Sequence, residues 1–299
     1  MLKLLREQKG SVAVLAALAM TALLGCAALA VDVANLYLNK TQISNMADAA
    51  ALAGARDLPD SSQLAISTAQ YYANQNGKNG DDIQALVNDS NTIVTVTVNR
   101  TVPLFFAKVF KLYNTSVSAT AQASNMVVSG VTGAVPFSIE KQDFSYGTLY
   151  TLKDGGGSGS DGNYGGLALG GSGANIYKYN IKYGYDGKLT VGQWVDTEPG
   201  NMSGPTSDGV GYRIDLDPYA TYETVKQDSG RIIIVPIIDS LDVNGRAAVQ
   251  IVGFAAFFLE GVGGSGSDNY VTGRFIHMYI TGDQGSSTDY GLRSIRLIK

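Results

Sequence analysis

His277 is the only histidine in the chain, and it lies within Phe275-Ile276-His277-Met278-Tyr279, where a strand position explains it better than catalysis. The sequence holds no Gly-x-Ser-x-Gly elbow, no His-Glu-x-x-His pair and no Walker loop, and Gly170-Gly171-Ser172-Gly173 lacks the lysine that would hold a phosphate. Gly156-Gly157-Ser158-Gly159-Ser160-Asp161 recurs as Gly263-Gly264-Ser265-Gly266-Ser267-Asp268, followed by Asn269-Tyr270-Val271, which fits a calcium-binding nonapeptide. That chemistry needs tandem copies stacked turn on turn. These copies stand far apart in the chain, so loops are the expectation. Cys26, the only cysteine, closes Leu23-Leu24-Gly25-Cys26, a lipobox-like tetrapeptide in which the thiol would take a lipid. Leu24 occupies a place that prefers a smaller residue, and helix-forming apolar sequence continues past it. Trp194, Tyr177 and Tyr179 could stack on a sugar, although core or turn packing explains each. No aspartate or glutamate pair stands out as glycosidase-like. Catalytic residues: none are expected; the same holds for cofactor-binding and metal-ligating residues and for cofactors.

The elements around these residues begin with a run from Gly10 to Val31 that carries no charge, preceded by Lys3, Arg6 and Lys9 and followed by Asp32. At about 1.5 Å rise per residue it is long enough to cross a bilayer core of about 30 Å once. The basic residues predict a cytoplasmic tail over 1–9, a transmembrane helix over 10–31 and an extracytoplasmic remainder. A cleaved signal ending at Ala28-Leu29-Ala30 is the competing reading, but the apolar run exceeds an ordinary h-region. Ala13, Ala17, Thr21 and Gly25 recur every four residues and would line one helix face, suited to close approach by another membrane helix or a second copy. The formal net charge of −4 gives no basic field for nucleic acid, and no small-molecule substrate is indicated. With one cysteine there is no intrachain disulfide.

From Val33 to Ala55 helix-favouring residues continue without proline, predicting a stalk over 32–56 with Val33, Leu36, Ile43, Ala47 and Ala50 on one apolar face, interrupted by Lys40. Pro59 ends it, Asp60 caps a second helix to about Asn76, and Gly77 stops that helix. Within this stretch Gln42-Ile43-Ser44-Asn45-Met46-Ala47-Asp48-Ala49-Ala50-Ala51-Leu52-Ala53-Gly54-Ala55, with Gly10-Ser11-Val12-Ala13 and Ala30-Val31-Asp32 before it, resembles the TadE/TadG-like family of Flp, or tight-adherence, pilus-assembly proteins. The resemblance is close over 9–56 and looser to about Asn125. It implies one N-terminal transmembrane helix, an extracytoplasmic portion and work in the envelope machinery that builds Flp pili. Two departures bound it. Flp pilins carry a glutamate soon after the processing glycine, whereas Gly10 is followed by Ser11-Val12-Ala13-Val14-Leu15, so prepilin processing is not expected. Larger members can hold a von Willebrand-type metal site, but Asp239-Ser240-Leu241-Asp242 lacks its serine pattern.

Ile93 to Val98 alternates as a half-buried strand with Val94, Val96 and Val98 inward. Pro103 is read as starting a short amphipathic helix through Phe105, Phe106, Val109 and Phe110, and Ser116 to Ala123 alternates again. Residues 57–128 thus read as a small α+β module whose Phe and Val positions are core. After Ser129 come 31 of the 36 glycines and 13 of the 17 tyrosines, and with them short β-prone segments at Ile176–Tyr185, Arg231–Ile238, Ala247–Phe258 and Phe275–Ile280, predicting a mainly antiparallel all-β domain over 129–299, sandwich or barrel-like. Ala255 to Leu259 is too short for a second span and reads as a buried strand. The expected class is α+β overall. The expected function is a non-catalytic, membrane-anchored part of Flp pilus assembly that touches the membrane and other assembly proteins; a cell-surface adhesion module, recognising glycan or a partner through the β domain, is the alternative.

Overall fold

The computed structural model describes residues 8–154, 164–243 and 245–298. Most of the basic N-terminal tail and the Gly156–Asp161 copy of the repeat lie outside them. The chain is α+β and divides into two compact units, 1–125 with 296–299, and 126–295.

The first unit is organised on α1, Gln8–Ala55, a helix of 48 residues. Among the described residues it is the one helix long and apolar enough to cross a membrane, and none of its most apolar stretch is buried. Burial begins at Asp32 and continues at Asn39, Ile43, Met46, Ala47, Ala50, Ala51 and Ala55, a stripe at helical spacing. Val33, expected on that stripe, instead faces out, because the stripe follows Asp32 and Asn39, whose polar groups are tied down by distant partners. After Ala55 the chain turns through a cis Leu58–Pro59 peptide into α2, Ser62–Asn76. Its cap is Ser61, not Asp60: the Ser61 hydroxyl accepts the Leu64 N–H at 3.1 Å. Ala65, Ala69 and Ala73 of α2 are fully buried. Gly54 lets the two helices approach, since a Cβ there would lie 2.6 Å from the Ala65 carbonyl oxygen.

Strands β1 (Asp82–Val87), β2 (Ile93–Pro103) and β3 (Asn114–Val131) form an antiparallel meander. Val94, Val96 and Val98 are completely buried, as their alternation implied, and Ala119, Ala121 and Ala123 are buried opposite. Pro103 does not start a helix. It ends β2, and the connection to β3 holds a single 3₁₀ turn, Ala107–Phe110.

The second unit carries β4 (Ile139–Glu140), β5 (Leu149–Lys153), α3 (Ala174–Tyr183), β6 (Leu189–Thr190), β7 (Trp194–Asp196), α4 (Ser203–Leu216), β8 (Ile232–Ile238), β9 (Ala248–Gly263), β10 (Tyr270–Ile276), β11 (Met278–Tyr279), β12 (Asp283–Gly285) and most of β13 (Leu292–Ile298). Its main sheet runs β4-β8-β9-β10-β5, with β7 on β9. All these pairs are antiparallel except β4 with β8. Both faces of β8 and β9 are covered: Ile233, Val235, Ile237, Phe257 and Leu259 enter one core cluster, while Ile238, Phe254, Ala256 and Phe258 enter another. That double coverage is why these strands read as continuous apolar runs.

The predicted strand at Ile176–Tyr185 is α3. Its buried residues Tyr177, Asn180 and Ile181 follow helical spacing, and its aromatic composition masks that period. Packed on it, α4 holds three glycines and one proline in its sequence; Gly209 lets Ile181 approach so closely that a Cβ would lie 2.6 Å from Ile181 Cγ2. The second repeat copy forms the β9–β10 connection, with a 3₁₀ turn at Gly266–Asp268.

Candidate functional site

Asp32 is the first charged side chain after the uncharged run, and its carboxylate lies on the buried face of α1. Three successive backbone amides aim at it. The N–H groups of Phe105 and Phe106 donate at 2.7 and 3.0 Å, and that of Ala107 at 2.7 Å. This is the work of an N-cap, performed for the 3₁₀ turn by a residue of another element. Burial alone would raise the Asp32 carboxyl; the three amides, helped by Lys108, outweigh it and hold the group below the ordinary carboxylate range. One turn further on, the Asn35 amide donates to the Pro103 carbonyl at 3.2 Å.

A second clamp lies two turns beyond Asp32. Arg100 of β2 grips Asp81 through Nε and Nη2, each at 2.7 Å, while its Nη1 donates to Asn39 at 3.2 Å and Gln42 at 3.0 Å of α1. The pair is almost wholly buried, with side-chain exposures of 6% and 2%, and the Arg100 hydrogen bond holds Asp81 below its ordinary range against the effect of burial. Lys78 adds a bond to Asn39 at 3.3 Å. Beside this clamp lies a pocket of about 270 Å³, of mixed polar and apolar lining, whose α1 wall is Gln42, Asn45, Met46 and Ala49. Lys40, which interrupts the predicted apolar face, donates to the Ser118 carbonyl of β3.

The third clamp closes the end of α1. The buried Asn125 amide donates to the Ala55 carbonyl at 2.9 Å and to the Leu58 carbonyl at 2.6 Å, supplying carbonyls that a helix C-terminus otherwise leaves to solvent. The stalk is therefore fastened near its start, middle and end by polar groups whose partners come from β2, β3 and their connection.

These clamps fall on a recognisable segment. Residues 10–57 match the model of the Tad family, described as "Putative Flp pilus-assembly TadE/G-like". No curated protein and no solved structure matches the chain. The Tad-like segment is thus α1 with the first residues after it, and Asp32, Asn39, Gln42 and Ala55 within it carry the bonds of the three clamps.

The other sequence candidates are dispersed. Ala13, Ala17, Thr21 and Gly25 lie on the exposed apolar part of α1, with the Thr21 hydroxyl satisfied by the Ala17 carbonyl at 2.8 Å. Cys26 is exposed on the same stretch, within unbroken helix. His277 lies between β10 and β11, stacked on Tyr146 with ring centroids 5.7 Å apart. Tyr177 is in the core at 2% exposure and has no face to offer a sugar, whereas Trp194 and Tyr179 are exposed on separate elements. Asp239 and its neighbours close a loop: Asp239 accepts the N–H groups of Ser240 and Gln250 at 2.9 and 3.1 Å. Among the described residues no cluster of His, Cys, Asp and Glu is arranged to hold a metal ion.

Lys153 belongs to no motif and would not be singled out from its neighbours in the chain. Its ammonium is buried on β5, donates to Asn201 at 2.8 Å, and is brought down to about 8 by burial, with Asp154 acting in the opposite sense.

Proposed function

We propose that this chain is a single-pass, non-catalytic component of Flp pilus assembly, with residues 1–9 in the cytoplasm, 10–31 in the membrane and the rest in the extracytoplasmic space. The observation that carries this reading is the coincidence of the Tad match over 10–57 with a helix that is wholly unpacked where it is most apolar and bolted to a folded module from Asp32 onward. Such a helix suits a mount: it holds a rigid platform at a fixed height from the bilayer. Other assembly proteins, or a second copy, meet it through the face carrying Ala13, Ala17, Thr21 and Gly25.

A clean deletion should abolish or sharply reduce surface Flp pili and adherence, with restoration by the full chain. Normal pilus numbers in the deletion strain would refute the reading. Protease added to intact spheroplasts should digest the region after Asp32 and spare an N-terminal tag, which fixes the orientation.

A further inference from the structure

The Phe105–Tyr113 connection was expected to supply core and does the reverse. Phe105, Phe106, Val109, Phe110, Leu112 and Tyr113 are all exposed, Val109 at 84% and Phe110 at 70%. Six large apolar side chains exposed on one short connection are more than a freely solvated tip would present. Its position is fixed by the Asp32 clamp, so the tip stands where α1 passes from uncharged to charged sequence. Val33 and Tyr37, on the adjoining turns of α1, are exposed as well.

We propose that this tip is a second membrane contact, dipping into the headgroup and upper acyl region of the same bilayer that α1 crosses. It rests on the reading that residues 10–31 span that bilayer. Three observations favour lipid as the occupant. The tip is bonded to Asp32, directly beside the exposed Leu29, Val31 and Val33 of α1. Its depth is set at the end of the span. Its charges, Lys108 and Lys111, are both basic and exposed, and no acidic residue occurs from Pro103 to Asn114, which suits anionic headgroups, while phenylalanine and tyrosine suit the interface. The Asp32 charge would oppose insertion if it were free, but the tip's own amides take it up.

The test uses the full chain in nanodiscs of phosphatidylcholine and phosphatidylglycerol, carrying Trp194→Phe so that one introduced tryptophan reports. Phe110→Trp should show blue-shifted emission and several-fold quenching by phosphatidylcholine brominated on the upper acyl chain; Val109→Trp repeats the measurement should the first variant misfold. Leu86→Trp is the control. Leu86 is exposed and pairs with Thr95, about 26 Å along β2 from Pro103 at some 3.3 Å per residue, so it should emit as in water and escape quenching. Unquenched, water-like emission at both tip positions in discs that hold the chain would overturn the tip contact and leave the membrane span standing. Equal quenching at Leu86 would overturn it too, as would crosslinking of an unquenched tip to another protein. Failure of the chain to co-elute with discs would defeat the span and the tip together.

Discussion

Asp32 shows how one side chain can join two elements that the sequence keeps apart. Its nearest amide partner is 73 positions away, so nothing local announces the bond. What was legible was only that a charge ends the apolar run. Because its pKa is held below the unfolded value, the carboxylate contributes stability above about pH 4, and that contribution is lost as pH falls through the lower folded value. Hydrogen exchange should therefore find the Phe105, Phe106 and Ala107 amides protected at neutral pH and deprotected in acid. Asp32→Ala should deprotect them at neutral pH while the Val94–Val98 amides stay protected. Arg100 makes a complementary case. Arg100→Met strands the buried Asp81 carboxylate and should cost about 3–5 kcal/mol in denaturant unfolding, whereas the double variant Arg100→Met/Asp81→Leu should recover much of that loss. Lys153 differs in that burial disfavours its charged form. Its folded value near 8 lies below that of a free lysine, so the native state binds fewer protons across the window from about 8 to 10.5 and stability rises with pH there. Thermal melts of the full chain and Lys153→Met across that window should show the parent gaining on the variant.

At the scale of elements, period was readable and context was not. The strict alternation of Ile93 to Val98 identified β2 and its buried face because a half-covered strand sorts side chains with a period of two. Helix α3 escaped because tyrosine and isoleucine favour strands, and only the buried positions Tyr177, Asn180 and Ile181 disclose the helical period. Helix α4 escaped because its glycines argue against any helix; one of them, Gly209, is there for a close approach. The phenylalanines of the tip depart from the expected core for a simpler reason. Apolar sequence predicts removal from water and does not say whether protein or lipid does the removing. Gly54 offers a sharp test of the α1–α2 crossing. A side chain at that position meets a backbone carbonyl, which has little room to yield, so Gly54→Val should lower unfolding stability by about 1–3 kcal/mol or more. Gly25→Ala, where an added Cβ has nothing within 4 Å, should leave it unchanged.

On the scale of the whole molecule, a long N-terminal helix and a change in character near residue 129 were legible in the sequence, and the chain has a helix over Gln8–Ala55 and divides into two units near residue 125. The sequence did not disclose how firmly the stalk is built into the first unit, since the three clamps join residues distant in the chain. Removing residues 1–31 should release the rest from the membrane fraction at high salt and alkaline pH; retention there would mean that another part of the chain holds the bilayer by itself.

An unbroken α1 also acts as a compass. Each residue turns a helix by about 100°, so across the residues between Ala13 and Asp32 the small-residue face and the module-bearing face come to within roughly 40° of each other. With no hinge in α1 and three clamps fixing its rotation, that bearing is carried unchanged along its exposed apolar part. A membrane helix drawn to the small-residue face must arrive on the side the module overhangs, and two copies joined by that face would be obliged to bring their modules head to head.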